Sequence, residues 1–498
     1  MNPPLHRSSA AEAERHRLAW ARYPADLTTP VGLFLALRAA GRQACLLESV
    51  ERAARLTRFS FVGVDPVARF RGAAYGARLE STAGAEDLAG PCHVALREAA
   101  RRFAVPPSPP GLPPFCGGWV GWFAAEWCAT LEPRVPRAAH DPWGVPDATF
   151  DLYREVVAFD HAAQELFVLS GAPEGRAGYG AAMERVEAIA ADLAHQGSGS
   201  GALRLIDRQP RACTPRADFE RGVEELQRAI RSGEIFQAVL SQRFEQRFEG
   251  DPFTLYRVLR LTNPAPHMFW FEADGLALVG SSPERLVSVR GRDVQAVPIA
   301  GTRPRADDPD EDDRLGAELL ADPKERAEHD MLVDLARNDL GRVARIGSVA
   351  LKEYAVLERF SRVQHLVSRV EGELASGRDA LDALAACFPA GTVSGAPKIR
   401  AMELLAGIEG TTRGPYAGAF GYLDGSGNLD MAITIRTLVV RDGTVHVQVG
   451  AGVVHDSRAA REYEETLHKS RALFESIALA DSPAFRPAAP HLVGEARP

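Results

Sequence analysis

The chain has 498 residues, 46% hydrophobic and 25% charged, with a formal net charge of -8. These proportions are those of a folded globular protein and exclude wholesale disorder and a fibrous repeat. An acidic balance with no basic face or tail excludes a nucleic-acid binder that works by neutralising many phosphates, and a prior of about 150 residues per domain predicts two to three compact units.

In chain order, Met1 to Arg17 carries scattered His, Arg and Glu with no apolar stretch, so residues 1–17 are expected to be a disordered terminus rather than a signal peptide or anchor. The longest apolar runs, such as Leu276 to Val279 and Val445 to Val449, are far too short to span a bilayer. Six cysteines (Cys45, Cys92, Cys116, Cys128, Cys213 and Cys387) have no paired spacing. That argues against a zinc ribbon or a disulfide scaffold and makes a reducing cytoplasm the simplest compartment.

Residues 18–195 are expected to form an N-terminal region. Within it Pro106 to Pro114 reads as a stiff connector, Glu155 to Phe159 and Leu166 to Leu169 as a hairpin, and Met183, Val186, Ala190 and Leu193 as one face of a helix. Gln196 to Ala202 is Gly/Ser-rich and opens a linker over 196–213, after which 214–480 forms a second unit. Thr214 and Pro215 are expected to start a helix lined by Phe219, Val223, Leu226 and Ile230 and closed by Gly233. Strands are expected at Leu276 to Val279, Leu286 to Arg290 and Val294 to Ile299, and a helix from Glu325 to Leu340. A hairpin of Asp430 to Val440 with Val445 to Val449 follows, turning at Asp442-Gly443, then a helix from Arg461 to Ile477 and a flexible tail over 481–498. This alternation predicts an α+β fold with antiparallel sheets.

Two acidic pairs, Glu325 with Glu328 and Glu462 with Glu465, are spaced i, i+3 on expected helices, which puts both carboxylates of a pair on one face. A solvated helix face is the commoner meaning of one such pair. Two pairs raise a second meaning, a hard divalent cation held by oxygen ligands and waters, with magnesium favoured over zinc because no His or Cys cluster accompanies them. Taken alone, the acidic pairs also allow a metal-dependent phosphoesterase. Lys469 follows Glu465 by four residues, as helix support or as an anion ligand. Gly450-Ala451-Gly452 follows a strand and can bring backbone N–H groups close to a carboxylate or phosphate. Gly391 to Lys398 leads into a helix but fails the phosphate-loop spacing.

Read together, GEIFQAVLSQRF (233–244), GSSPERL (280–286), PIAGTRPR (298–305), AEHDMLVDLARNDLGRV (327–343), FPAGTVSGAPKIRAM (388–402), RGPYAGA (413–419) and EYEET (462–466) resemble the chorismate-utilising enzymes, closest to component I of anthranilate synthase. LLES (46–49) and FCGGWVG (115–121) extend the likeness into the N-terminal half. The resemblance implies two packed antiparallel β-sheets flanked by helices. It also implies a reaction in which a nucleophile adds to the chorismate ring, the allylic hydroxyl departs, and pyruvate is then eliminated in some members.

By the same likeness Glu284 matches the general acid for the departing hydroxyl, and His365 a histidine linked to pyruvate elimination. Thr392, Tyr416, Arg436, Gly450, Gly452 and Lys469 match carboxylate-holding positions. Glu328 and Glu465 match principal Mg2+ ligands, supported by Glu325 and Glu462. Gln237 stands where water-activating relatives carry lysine, which points to ammonia as nucleophile. Ala300 stands where many aminodeoxychorismate synthases carry lysine, which favours anthranilate and leaves aminodeoxychorismate synthase component I as the alternative. Leu46, Glu48, Ser49, Pro264 and Met268 resemble a tryptophan feedback site, although Ala265 and His267 depart from the usual NPSPYM. No cysteine lies in an amidotransferase nucleophile context, so a partner glutamine amidotransferase is expected to supply ammonia.

Overall fold

The computed structural model describes residues 4–7, 17–50, 58–103, 105–171, 175–193, 201–360 and 363–485. Among the described residues, fourteen strands form one antiparallel sheet and twelve form a second. In each sheet the strands before the linker form one contiguous block and the later strands another, and the two blocks meet at a single strand pair. In the first sheet Ala44–Glu48 pairs with His267–Ala273, setting Glu48 against Met268. In the second, Gly118–Phe123 pairs with Ala419–Asp424. The linker joins two stretches that share their sheets, and it contains short strands at Leu203–Leu205 and Arg211–Ala212 that pair with Gln237–Gly250.

The inner faces of the sheets meet in an apolar layer that includes Val120, Trp122, Leu169, Phe269, Leu278 and Phe420. Phe269 and Phe420 stack across it with ring centroids 3.9 Å apart. Gly280 makes this possible: the Phe269 ring lies where a Cβ on Gly280 would sit. Helices Pro30–Ala39, Phe253–Thr262 and Ala459–Ala480 cover the outer face of the first sheet with an apolar stripe each, and Cys92–Arg102 and Ala380–Cys387 cover the second.

The expected hairpin at Glu155–Asp160 and Glu165–Gly171 forms, pairing Phe159 with Leu166. Four expectations are corrected. Asp430 to Val440 is two strands, Leu429–Ile433 in the second sheet and Thr437–Arg441 in the first. The chain changes sheets between them, with Arg436 at φ 47°; hydrophobic alternation runs on through such a crossing and hides it. Val294 to Ile299 likewise breaks after Ala296, because Pro298 cannot donate to a ladder. The helix expected to be capped by Thr214 is Arg216–Arg231, with Pro215 at the cap and no side-chain capping bond. At the termini, His6–Arg7 pairs with Leu18–Pro24 and Phe485 is buried, so ordered structure enters both segments expected to lack it. Residues 8–16, 194–200 and 486–498, on which the rest of those expectations fall, lie outside the described residues.

Candidate active site

A cavity of about 1050 Å³ opens between helices Pro323–Gly341 and Ala459–Ala480, the far end of strand Thr444–Val453 and the turn Gly391–Val393. Its lining includes Gln237, Glu284, Glu328, His365, Thr392, Tyr416, Arg436, Gly450, Gly452, Glu462, Glu465 and Lys469. The fold thus gathers residues scattered over more than 230 positions of sequence onto one surface.

Glu284 follows strand Leu276–Ser282 and is enclosed by protein. Burial pushes its carboxyl from an ordinary 4.5 up to about 8, against the opposing pull of a hydrogen bond donated by Thr392 Oγ1 (3.1 Å) and the charge of Arg436. It is therefore protonated at neutral pH and able to donate. Arg436, placed by the sheet crossing, makes no hydrogen bond or ion pair through its guanidinium with any described residue. It touches cavity solvent yet is desolvated enough to lower its pKa, with Glu284 opposing that shift. A guanidinium so placed suits a carboxylate ligand.

The glycines provide the second anchor. Val239 and Ser241 send their N–H groups to Ser394 O and to Glu409 Oε1, each at 2.8 Å, away from strand Thr444–Val453. Their cross-strand partners Gly452 and Gly450 are therefore the non-hydrogen-bonded pairs of the ladder, with N–H and C=O turned outward. Strand Thr437–Arg441 stops pairing at Val447, so nothing in the sheet covers that outward edge. Lys469 Nζ occupies part of it, donating to Gly450 O at 2.9 Å while pairing with Glu465 at 2.7 Å. A Cβ on Gly450 would sit 2.7 Å from Val239 and 2.9 Å from the Tyr416 hydroxyl, so only glycine admits both the tyrosine and a ligand here.

His365 Nδ1 lies 2.7 Å from Gly301 O. A carbonyl only accepts, so Nδ1 carries the proton and Nε2 is the acceptor. Burial lowers the ring's pKa, favouring this neutral form.

The acidic residues divide. Glu328, Glu462 and Glu465 line the cavity. Burial and then the neighbouring carboxylate of Glu325 raise the Glu328 pKa, with Glu465 adding a smaller push; burial also leads for Glu462. Glu462 Oε2 is buried without a hydrogen-bond partner. Glu325 is instead drawn away by Arg303, whose Nη1 lies 3.1 Å from its carboxylate. Among the described residues no three His, Cys, Asp or Glu side chains converge into a protein-only metal cage. The orphaned Glu462 oxygen beside two further cavity-lining carboxylates fits a hard cation only with waters completing its shell.

The resembling feedback-site residues also divide. Glu48, Ser49 and Met268 border a second cavity of about 140 Å³, whereas Pro264 lines the large one and Leu46 is core. Glu48 accepts from Tyr256 and from Arg260 (2.9 Å). Burial pushes His267, beside Met268, down to about 4.

One buried assembly is not marked as such by any of the sequence motifs. Arg413, 4% exposed, pairs with Glu409, 5% exposed, at 2.7 Å and donates to Val393 O (2.7 Å) and Val239 O (2.8 Å). Glu126 accepts from the backbone N–H groups of Arg413 and Gly414 (2.7 and 3.0 Å). The pair thus clamps the Thr392 turn to the Gln237 strand. The i, i+4 spacing of Glu409 and Arg413 was the available signal.

A protonated buried acid, a desolvated arginine, outward backbone N–H groups and acceptor carboxylates in one cavity define an enzyme site for a small polyanionic substrate. The chain belongs to the chorismate binding enzyme family, which it matches over residues 44–475. It is 43% identical to the anthranilate synthase component 1 of Streptomyces coelicolor over 92% of this chain and 88% of that one. Identity to the anthranilate synthase component 1 of Mycobacterium tuberculosis is also 43%, covering 92% of each chain. Among solved structures, anthranilate synthase component I from Streptococcus pneumoniae superposes with a TM-score of 0.74 at 35% identity, over 84% of this chain and 92% of that one. The menaquinone-specific isochorismate synthase of Escherichia coli shares the fold (TM-score 0.69, 19% identity, 92% and 94% covered).

Proposed function

We propose that the chain is the chorismate-aminating component of an anthranilate synthase, converting chorismate and ammonia to anthranilate and pyruvate in tryptophan biosynthesis. The observation that carries this reading is Glu284, a carboxyl held protonated at neutral pH beside Thr392 and Arg436.

Arg436, Tyr416 and the N–H groups of Gly450 and Gly452 hold the substrate's carboxylates. Glu284 gives its proton to the departing hydroxyl oxygen as ammonia adds to the ring. Gln237 lines the same cavity and cannot act as a general base, which suits a nucleophile that needs no deprotonation. His365, neutral with Nε2 free to accept, takes the ring proton as pyruvate leaves. The donor set fits Mg2+ at Glu328 and Glu465, with Glu462 through water, where it would supply a charge clamp for the ring carboxylate.

Ammonia comes from a partner glutamine amidotransferase. In support, burial pushes the thiols of Cys45, Cys116, Cys128 and Cys387 up to about 12, the opposite of an activated nucleophile. Tryptophan is the feedback inhibitor, at the cavity beside Glu48, Ser49 and Met268, and the cytoplasm is the compartment. No described helix is long and apolar enough to cross a membrane.

The test is incubation of the purified chain with chorismate, Mg2+ and ammonium. Anthranilate fluorescence is expected. A product that yields 4-aminobenzoate after lyase treatment, without anthranilate, overturns the reading in favour of aminodeoxychorismate synthase.

A further inference from the structure

Three cations at the cavity wall have no part in the chemistry above: Lys324, Arg458 and Arg461. All are exposed, and none makes a side-chain hydrogen bond or ion pair with a described residue. Their backbone positions are unfavourable. Arg458 is the N-cap and Arg461 lies in the first turn of helix Ala459–Ala480, and Lys324 lies in the first turn of Pro323–Gly341. Helix N-termini are positive and favour anions, so cations belong at the opposite end. Two helix starts and three cations that face one opening, in a chain of net charge -8, form a local reversal of sign.

The reversal persists when the opposing groups are counted. Glu328, Asp456, Glu462 and Glu465 line the same cavity, and Glu284 is protonated. Arg436 and Lys469 join the three rim cations, so five basic side chains line the cavity with these four acidic ones. Lys469 is engaged by Glu465 and the charge of Lys324 acts on Glu328 and Glu462, whereas no ion pair with a described residue holds Arg458 or Arg461.

We propose that Lys324, Arg458 and Arg461 form a capture rim that draws a dianionic substrate into the cavity and takes no part in bond making. The proposal rests on chorismate being the substrate. A rim of this kind acts on encounter and on the free energy of entry, so it sets kcat/KM and its salt dependence while leaving the chemical step alone.

The test is steady-state kinetics with chorismate varied at saturating ammonium and Mg2+. The parent chain is compared with the triple variant Lys324→Gln, Arg458→Gln, Arg461→Gln, with Arg471→Gln as an exposed control outside the cavity. Ionic strength runs from about 0.01 M to about 1 M, over which the screening length falls from about 30 Å to about 3 Å. At low salt the triple variant is expected to lose about tenfold in kcat/KM, to keep kcat within about twofold, and to converge on the parent at high salt. Equal kcat/KM at low salt, or parallel salt slopes, overturns the proposal; so does a fall in kcat as large as the fall in kcat/KM. A parent chain that does not turn over chorismate removes the functional reading itself, a failure visible before any variant is assayed.

Discussion

The carboxyl of Glu284 is poised between burial, which pushes its pKa up to about 8, and the Thr392 hydroxyl and Arg436 charge, which pull it down. If the protonated form is the working acid, kcat falls as pH rises through about 8. Thr392→Val removes the 3.1 Å hydrogen bond to Oε1 and keeps the side-chain shape. A hydrogen bond to an ionised group is worth about 1.5–3 kcal/mol, and 1.36 kcal/mol corresponds to one pK unit. Its loss moves the alkaline limb of the kcat profile upward by about one to two pH units. The assay is anthranilate formation from about pH 6 to pH 10 at constant free ammonia, since the nucleophile titrates in the same range. Thr392 also faces substrate, so the plateau falls as well, and the position of the limb is the diagnostic. A limb that stays in place or moves toward acid refutes Glu284 as the acid held by this hydrogen bond.

Other outcomes follow from the same geometry. Glu284 has a native pKa above its unfolded value, so the native state holds a proton between pH 4.5 and about 8 that the unfolded chain has lost. That makes the stability contribution greatest at low pH, and it is lost as pH rises through this window. Glu284→Gln should therefore abolish turnover while gaining roughly 3–5 kcal/mol in stability relative to the parent between pH 5 and pH 9, read by denaturant melts; a constant difference across that range contradicts it. Glu465→Gln keeps shape but removes the proposed cation ligand, and should cut activity at least 100-fold and weaken Mg2+ binding by calorimetry with the melting temperature nearly unmoved. Normal Mg2+ affinity would argue against the metal assignment. Gly450→Ala forces Tyr416 aside and should raise the KM for chorismate about tenfold, and an unchanged KM would place the substrate elsewhere.

Glu284 and Glu465 are legible in the ordered motifs GSSPERL and EYEET, whereas His365, Arg436 and Gly450 lie outside the motifs that carry the resemblance, and the cavity lining includes all five. What escaped was set by tertiary geometry. Alternation along Asp430 to Val440 cannot reveal that the chain leaves one sheet for the other at Thr434 to Arg436, yet that crossing is what points Arg436 at the cavity. Glu325 and Glu328 share a helix face in sequence, but Arg303 on a neighbouring strand claims only the first. The Arg413–Glu409 pair was hidden because its other partners, Val393 O and Val239 O, come from segments 20 and 174 residues away. A buried pair of this kind is weak evidence of stability; its visible consequence is to hold the Thr392 turn against the Gln237 strand. Lys324, Arg458 and Arg461 look like solvated helix charges until two helix starts are seen to face one opening.

The central claim is that this cavity aminates chorismate and releases pyruvate to give anthranilate. The most direct measurement uses 15N-ammonium with the purified chain, chorismate and Mg2+, locating the label in the product by NMR and counting pyruvate. The expected result is 15N on the ring carbon next to the carboxylate-bearing carbon, with one pyruvate released per product. Label opposite the carboxylate with pyruvate retained in the product, or no labelled product at all, would contradict it.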